Sequence, residues 1–181
     1  MLKLESRLIR LRPLRPADLA TTLSWRNDPA IRDNALGHRF PVTEVMERRW
    51  IDAALDGTDT SRAVFGIEDR ADEKLVGYTQ LNSIDSLARH ARFGMLIGDA
   101  DRHGRGLGRD ALTLTLAFAF HTINLRRIHL QVVASNERAL RLYERAGFLR
   151  EGVLREHVFV DGAYRDLILM GLMRDAARTA Q

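Results

Sequence analysis

The fold of this chain is decided by one stretch, Gly98-Asp99-Ala100-Asp101-Arg102-His103-Gly104-Arg105-Gly106-Leu107-Gly108. It joins a predicted strand, Ala91 to Ile97, to an apolar segment from about Arg109 to His121 that is typical of a helix. A further predicted strand, Ile128 to Val133, follows that helix. A strand, a helix and a strand in this order predict a crossover between two parallel strands, and therefore a mixed sheet with helices packed on it.

The rest of the chain adds strands and helices that fit one domain. The other predicted strands are Leu8 to Leu14, Ala63 to Glu68, Leu75 to Asn82, and the hairpin Val153 to Val160 with Tyr164 to Leu172 about Asp161-Gly162. The other predicted helices are Asp18 to Trp25, Thr43 to Leu55 with Thr43 as N-cap, and Asn136 to Ala146 capped by Ser135 or Asn136, while Asn27-Asp28-Pro29 is a predicted turn. Together they predict one α/β (α+β) domain over residues 1–173, with a mixed, mostly antiparallel sheet of about six or seven strands and about four flanking helices. Residues 174–181 are predicted to form a flexible tail.

Composition narrows the class of function. The 181 residues include 28 basic and 24 acidic side chains, and the aromatic fraction is only 7%. Without a basic run interleaved with aromatic residues, a nucleic-acid-binding module is disfavoured. The absence of cysteine excludes a cysteine nucleophile, so any acyl transfer is direct or uses another nucleophile. The six histidines show no paired metal-ligand spacing, and no metal is expected.

Hydropathy and the first residues indicate where the protein works. The longest apolar run, Leu112 to Phe120, is far shorter than the roughly 20 residues that a membrane span needs. Met1 to Glu5 does not resemble the start of a secretory signal. A cytoplasmic protein, monomeric or homodimeric and without a membrane partner, is expected.

The glycine-rich stretch predicts an anion site. Gly104, Gly106 and Gly108 precede a helix, where backbone N–H groups can approach a phosphate closely and the helix dipole favours negative charge. A flexible strand-to-helix turn is the alternative interpretation. The dinucleotide fingerprint would need a third glycine where Arg109 stands, and the nucleoside-triphosphate loop would need Gly-Lys-Ser/Thr, which is absent.

A second motif spans Asn136 to Phe148 and reads Asn-Glu-Arg-Ala-Leu-Arg-Leu-Tyr-Glu-Arg-Ala-Gly-Phe. Taken alone it is an ordinary core-facing helix with Tyr143 at its margin. Together with the segment His103 to Gly108, it resembles the GNAT superfamily of N-acetyltransferases. Three further segments resemble the branch that contains the ribosomal-protein N-terminal acetyltransferases: Leu8 to Pro13, Trp25 to Pro29 and Glu151 to Asp166. The same branch contains polyamine and amino-sugar acetyltransferases.

The resemblance implies a GNAT fold, acetyl-CoA as cofactor, and direct transfer of the acetyl group to a primary amine. Tyr143 is expected to protonate the leaving thiolate, although a tyrosine that only positions the cofactor is the alternative. The backbone of Met95 or Leu96 is expected to form the oxyanion hole, and Asn136 to cap its helix or bond the pantetheine arm. The expected cofactor-binding residues are Met95, Leu96, Ile97, His103, Gly104, Arg105, Gly106, Leu107, Gly108, Arg109, Asn136, Arg138, Ala139, Tyr143 and Arg145. Acceptor-binding candidates are Trp25, Asn27, Asn82, Glu156 and His157.

Two residues depart from the family pattern. His103 replaces a glutamine or arginine, which matters little if that side chain only shapes the turn. Arg92 stands where many relatives have a glutamate that can act as general base, and no other residue is selected for that role. A catalytically impaired acetyl-CoA-binding regulatory protein is therefore a rival hypothesis.

The expected acceptor is a small-molecule amine or the N-terminal amine of a peptide or protein. Between Pro29 and Thr43 the charged residues are Arg32, Asp33 and Arg39, together with His38. A polycation would prefer carboxylates there, so a polyamine acetyltransferase is the less favoured alternative.

Overall fold

The computed structural model describes residues 4–32, 36, 40–160 and 162–177. The strands are β1 (Ile9–Arg12), β2 (Ala63–Asp69), β3 (Lys74–Asp85), β4 (His90–Ile97), β5 (Arg127–Val133), β6 (Leu149–Val160) and β7 (Ala163–Met173). The α-helices are α1 (Leu19–Asn27), α2 (Pro29–Arg32), α3 (Glu44–Leu55), α4 (Leu107–Ala117), α5 (Glu137–Arg145) and α6 (Arg174–Ala177). Short 3₁₀ turns cover Pro16–Asp18 and Ala100–Arg102, and a π-helical turn, Phe118–Thr122, extends α4.

The seven strands form one sheet in the order β1-β2-β3-β4-β5-β7-β6. Every neighbouring pair is antiparallel except β4 and β5, which are parallel and are joined by the crossover through α4. That parallel pair has only three rungs, ending at Arg92 opposite His129. Beyond this point β4 continues to Ile97 and β5 to Val133 without pairing with each other, so the sheet contains a gap between their carboxyl ends.

The two faces of the sheet are covered by different helices. Residues of α4 and α5 pack on one face in the largest core cluster, which includes Phe93, Leu112, Leu130, Tyr143 and Met170. On the other face α1 and α3 pack against β2, β3 and β4, through the clusters around Ile51 and around Trp25. The gap between β4 and β5 therefore has α4 and α5 on one face of the sheet and α1 and α3 on the other.

Most predicted elements are confirmed, with shifted ends. Helix α4 begins at Leu107, two residues earlier than predicted, so Leu107 and Gly108 belong to its first turn. The predicted turn at Asn27 to Pro29 is followed by a short helix, because Pro29 suits the first position of a helix. The N-cap of α5 is Asn136, not Ser135, since Asn136 Oδ1 accepts a hydrogen bond from Ala139 N at 3.1 Å.

The first four residues of the predicted tail form the short helix α6. Arg174 N donates to the Arg126 carbonyl, and Arg174 Nη1 donates to Asn124 Oδ1 at 2.8 Å. These bonds fix the start of α6 directly after β7. Residues 178–181 and Asp161 lie outside the described residues. In the hairpin turn, Gly162 has φ of +72°, a left-handed conformation that glycine adopts readily because it has no Cβ.

No helix within the described ranges is both long enough and apolar enough to cross a lipid bilayer.

Candidate active site

The glycine-rich stretch forms a tight loop that leads into α4. Gly104 and Gly106 have φ of +77° and +88°, which side chains with a Cβ rarely adopt. Gly106 is the N-cap of α4, and the first helical hydrogen bond is donated by Asp110 to the Gly106 carbonyl at 3.1 Å. A Cβ on Gly104 would meet no atom within 4 Å, so the space around this glycine is open.

The loop fits the phosphates of a CoA-type cofactor. The backbone N–H groups of residues 104–109 donate to no acceptor in the part of the chain that the structure describes. They lie at the N-terminus of α4, where the helix dipole contributes about half a positive charge. Leu107 is buried and anchors the first turn, so these donors are held in place while the loop before them stays open.

The side chain of His103 shapes the turn, as expected for its place in the loop. His103 Nε2 lies 3.2 Å from the Ile97 carbonyl oxygen and so joins the loop to the end of β4.

The arginines near the loop are not equivalent. Arg102 is surrounded by Asp69, Asp72 and Asp99, and its hydrogen bonds to Asp72 and Asp69 raise its pKa further above the usual range. Its charge is therefore neutralised within the protein. Arg105 is half exposed and lines a groove of about 390 Å³ beside the loop, together with Arg7 and Arg70.

No sequence pattern groups Arg7 and Arg70 with the loop. They reach this groove because β1 lies beside β2 at that edge of the sheet. Arg109, which was expected to bind cofactor, is exposed and lies 3.5 Å from Asp110.

The free edge of β4 faces the gap in the sheet. Hydrogen bonding alternates along an antiparallel strand, and Gly98 N donates to the Val76 carbonyl on β3 at 2.9 Å. By this alternation Leu96 is bonded to β3, whereas the backbone groups of Met95 and Ile97 point toward the gap. The bond from His103 to the Ile97 carbonyl agrees with this direction. Of the two oxyanion candidates, Met95 therefore has the amide aimed at the gap.

Tyr143 lies in the wall formed by α5. Its ring is in edge contact with Phe93 and Phe148, at centroid distances of 6.1 and 5.7 Å, and only 7% of the residue is exposed. Burial raises the pKa of Tyr143 to about 12. The phenol is therefore protonated at neutral pH. It has no hydrogen-bond partner among the described residues and can donate its proton to a ligand.

The other residues expected on α5 divide into inner and outer positions. Asn136 and Ala139 are half-buried at the start of the helix, and the Asn136 side chain already caps it. Arg138 and Arg145 are exposed and form no ion pair with any described residue. They are available to an anionic ligand on the outer surface.

Arg92 lies at the last rung before the gap. Its Cα partners are Asn82 on β3 and His129 on β5, so these three residues form one row across the sheet. Burial, followed by the charges of His90, Arg127 and Arg92, lowers the pKa of His129. The row thus offers an exposed guanidinium, an amide and a neutral imidazole where a carboxylate is usual in the resembling family.

Glu156 and His157 are far from that row. They lie in a bulge of β6, where Glu156 N donates to Asp166 Oδ1 at 2.8 Å. Asp166 in turn lies beside Ala134, five residues along the chain from His129. At about 3.3 Å per residue this is roughly 16 Å from Asn82's row, so the acceptor-site candidates do not converge on one point.

Trp25 and Asn27 both have packing roles. The Trp25 ring lies directly against Gly98, where any Cβ would overlap it. Asn27 Oδ1 accepts from Val42 N at 2.8 Å, and Asn27 Nδ2 donates to the Val42 carbonyl at 2.9 Å. Trp25 thus holds α1 against the end of β4, and Asn27 ties α1 to the segment before α3.

A buried ion pair next to Trp25 was missed by sequence reasoning. Glu47 looks like an ordinary acidic residue in the first turn of α3, yet it is 0% exposed. Arg26 Nη1 lies 3.1 Å from Glu47 Oε2, and the Arg26 guanidinium lies over the Trp50 ring at 5.1 Å. Tyr78, whose pKa is raised by burial, is in tilted contact with the Trp50 ring.

A cavity of about 450 Å³ lies at the opposite end of the sheet, lined by residues such as Val64, Ile84, Phe118 and Leu125. None of the residues that line it belongs to the loop, to the ends of β4 and β5 that border the gap, or to α5. The volume of a cavity alone therefore does not identify the active site.

Comparison with known proteins places this geometry in a family. The acetyltransferase (GNAT) domain family matches residues 8–149. The spermidine N(1)-acetyltransferase of Vibrio cholerae is 34% identical over 116 residues, which cover 64% of this chain and 66% of that enzyme. The [ribosomal protein uS5]-alanine N-acetyltransferase of Escherichia coli is 29% identical over 60% of this chain and 56% of its own length. This chain thus aligns with less than two thirds of either enzyme.

The likeness is wider in three dimensions. The crystal structure of the Vibrio cholerae spermidine N-acetyltransferase in complex with CoA and spermine superposes with a TM-score of 0.85 at 27% identity, covering 94% of this chain and 98% of that one. The two chains therefore share the overall fold.

Proposed function

Because the chain belongs to the GNAT acetyltransferase family, we propose that it binds acetyl-CoA at the loop 103–108 and transfers the acetyl group directly to a primary amine. The observation that carries this proposal is a combination: unpaired backbone donors at the start of α4 and a protonated phenol, Tyr143, beside the gap between β4 and β5. The first suits phosphate binding and the second suits protonation of a leaving thiolate.

The chain's own groups supply each requirement of acyl transfer. The amides of residues 104–109 hold the phosphates, and Arg105, Arg138 and Arg145 add positive charge around them. Acetyl-CoA supplies the thioester carbonyl that the amine attacks. The Met95 amide donates a hydrogen bond to the carbonyl oxygen as negative charge develops on it, and Tyr143 holds the proton for the sulfur.

The acceptor must lose a proton without help from a carboxylate on β4. An α-amine has a reference pKa near 7.7–8.0, whereas a lysine-like amine is near 10.4. With Arg92 in place of an acid, amines of the first kind can lose their proton to water or to neutral His129. This supports a protein N-terminus or an amino-sugar amine as acceptor. The argument against polyamines rests on four residues whose side chains lie outside the described part of the chain: Arg32, Asp33, His38 and Arg39.

A polyamine is the second candidate acceptor, because a spermidine N-acetyltransferase is among the similar proteins both in sequence and in structure. Spermidine should then be acetylated with a higher kcat/KM than α-amines.

The test is an acetyl-CoA-dependent assay that detects released CoA with a panel of amines at matched concentration. We expect peptides with free N-termini or nucleotide-linked amino sugars to exceed spermidine in kcat/KM by at least tenfold, about 1.4 kcal/mol of transition-state stabilisation. Spermidine as the best acceptor would favour the second candidate. Binding of acetyl-CoA without turnover of any amine would favour a regulatory protein.

A further inference from the structure

We call the buried carboxylate of Glu47 and the rings of Trp50 and Tyr78 the cage, because Arg26 reaches both Glu47 and Trp50 and the charge of Glu47 acts on Tyr78. Trp50 and Tyr78 are in contact at 5.1 Å between ring centroids, and Trp25 and Leu96 complete the same cluster. Neither Glu47 oxygen receives a well-aligned hydrogen bond from any residue that the structure describes. A fully buried carboxylate without hydrogen bonds, next to aromatic faces, is an arrangement that favours a cation.

Arg26 supplies that cation from within the protein. Its side chain is 17% exposed, its Nη1 is 3.1 Å from Glu47 Oε2, and its guanidinium lies over Trp50. A long stem buried along apolar surface with its charge at the tip resembles, in shape and charge, an extended alkylammonium ligand. The cage is therefore occupied by the protein's own side chain.

The cage is close to the place where the amine would react. Leu96 and Tyr78 are Cα partners on β4 and β3, one residue from Met95, whose amide faces the gap. Helices α4 and α5 cover the opposite face of the sheet, and we infer that an amine approaches on the face of Trp25, Trp50 and Tyr78. The cage forms part of the wall on that approach.

We propose that Arg26 determines the charge of the acceptor by occupying the Glu47, Trp50 and Tyr78 cage that would otherwise hold a cationic group of a polyamine. This inference rests on the proposed N-acetyltransferase function and names the substrate class that Arg26 disfavours. With Arg26 in place the cage has no net charge to offer to a second cation. Without it, Glu47 is a buried and uncompensated anion that an alkylammonium can neutralise.

The experiment compares three proteins. Arg26→Met removes the charge and keeps most of the apolar stem, and Arg26→Met/Glu47→Gln removes both charges, as the matched control. The wild type is the reference. For each, kcat/KM is measured for spermidine and for a peptide with a free N-terminus, and the melting temperature is measured with and without spermidine.

We expect Arg26→Met to raise the ratio of spermidine to peptide kcat/KM at least tenfold. We also expect spermidine to raise the melting temperature of Arg26→Met more than that of the wild type. The double variant should show neither effect, because its cage no longer carries a negative charge. An unchanged ratio in folded Arg26→Met, or an equal gain in the double variant, would overturn the proposal.

Folding is part of the test. If Arg26→Met is unfolded alone, spermidine should restore its folding, and failure to do so would also overturn the proposal. The melting measurements need no turnover. A wild type that binds acetyl-CoA but acetylates no amine would contradict the proposed function and leave the cage measurements to be judged separately.

Discussion

At the scale of single residues, two atoms carry the proposed chemistry: a glycine Cα with no Cβ and a phenol oxygen. Gly106 can hold its left-handed conformation and keep the start of α4 open only because it has no side chain. Tyr143 can donate a proton because burial keeps it protonated. Each can be tested by a small substitution that leaves the surrounding packing intact.

The first prediction concerns Gly106. Gly106→Ala should weaken CoA binding at least tenfold, about 1.4 kcal/mol, because the Cβ strains a left-handed residue whose neighbouring amides hold phosphate. Calorimetry with CoA measures this. Gly162→Ala is the control for backbone strain, since Gly162 has φ of +72° and lies in the distant hairpin turn. An added Cβ there would meet no atom within 4 Å, whereas one on Gly106 would meet Leu8 Cδ1 at 3.4 Å. Equal loss of affinity in both variants would show that strain, not the site, is responsible.

The second prediction concerns Tyr143. Tyr143→Phe should lower kcat by roughly 10²–10⁴-fold with little change in CoA affinity, because the ring contacts with Phe93 and Phe148 remain and only the proton is lost. Steady-state kinetics and CoA calorimetry separate these effects. Tyr164→Phe, on an exposed tyrosine of β7, serves as the control. A near-normal kcat with a raised KM would reassign Tyr143 to positioning.

The third prediction follows from the raised pKa of Tyr143. Its folded-state pKa is about 12, against an unfolded value near 10, so the phenol stays protonated and kcat should not fall between pH 8 and 10. The same shift stabilises the folded state fully below pH 10, and this contribution is lost as pH rises from 10 to 12. Unfolding free energies of the wild type should therefore fall more steeply over that range than those of Tyr143→Phe. Parallel curves would contradict the burial argument.

At the scale of elements, local patterns were sufficient for most of the fold. The Thr43 cap, the glycine before α4 and the strand-forming runs of β2 to β5 are all local signals, and the structure confirms those elements. What could not be predicted depends on distant contacts. The burial of Glu47 requires Arg26 from another helix, and the neutralisation of Arg102 requires Asp69 and Asp72 from the β2–β3 turn region.

The joint between α1 and the segment before α3 gives the fourth prediction. Asn27→Ala removes both hydrogen bonds to Val42, whose residue is 5% exposed, and leaves its backbone groups unsatisfied. We expect a loss of about 1–3 kcal/mol in the free energy of unfolding in urea. Ser24→Ala, on the exposed side of the same helix, should change it by less than about 0.5 kcal/mol. A similar loss in both variants would mean that the hydrogen bonds to Val42 are not its cause.

At the scale of the whole molecule, the sheet is two plates that meet along a short seam. One plate contains β1 to β4 and the other contains β5, β7 and β6, and only the three rungs from His90 to Arg92 join them edge to edge. Helix α4 lies in the segment of chain that connects β4 on one plate to β5 on the other. A ligand bound in the gap beyond Arg92 would contact both plates and hold them together. CoA binding should therefore make the two plates unfold more cooperatively. CoA should also slow hydrogen exchange in β5 as well as in the loop 103–108.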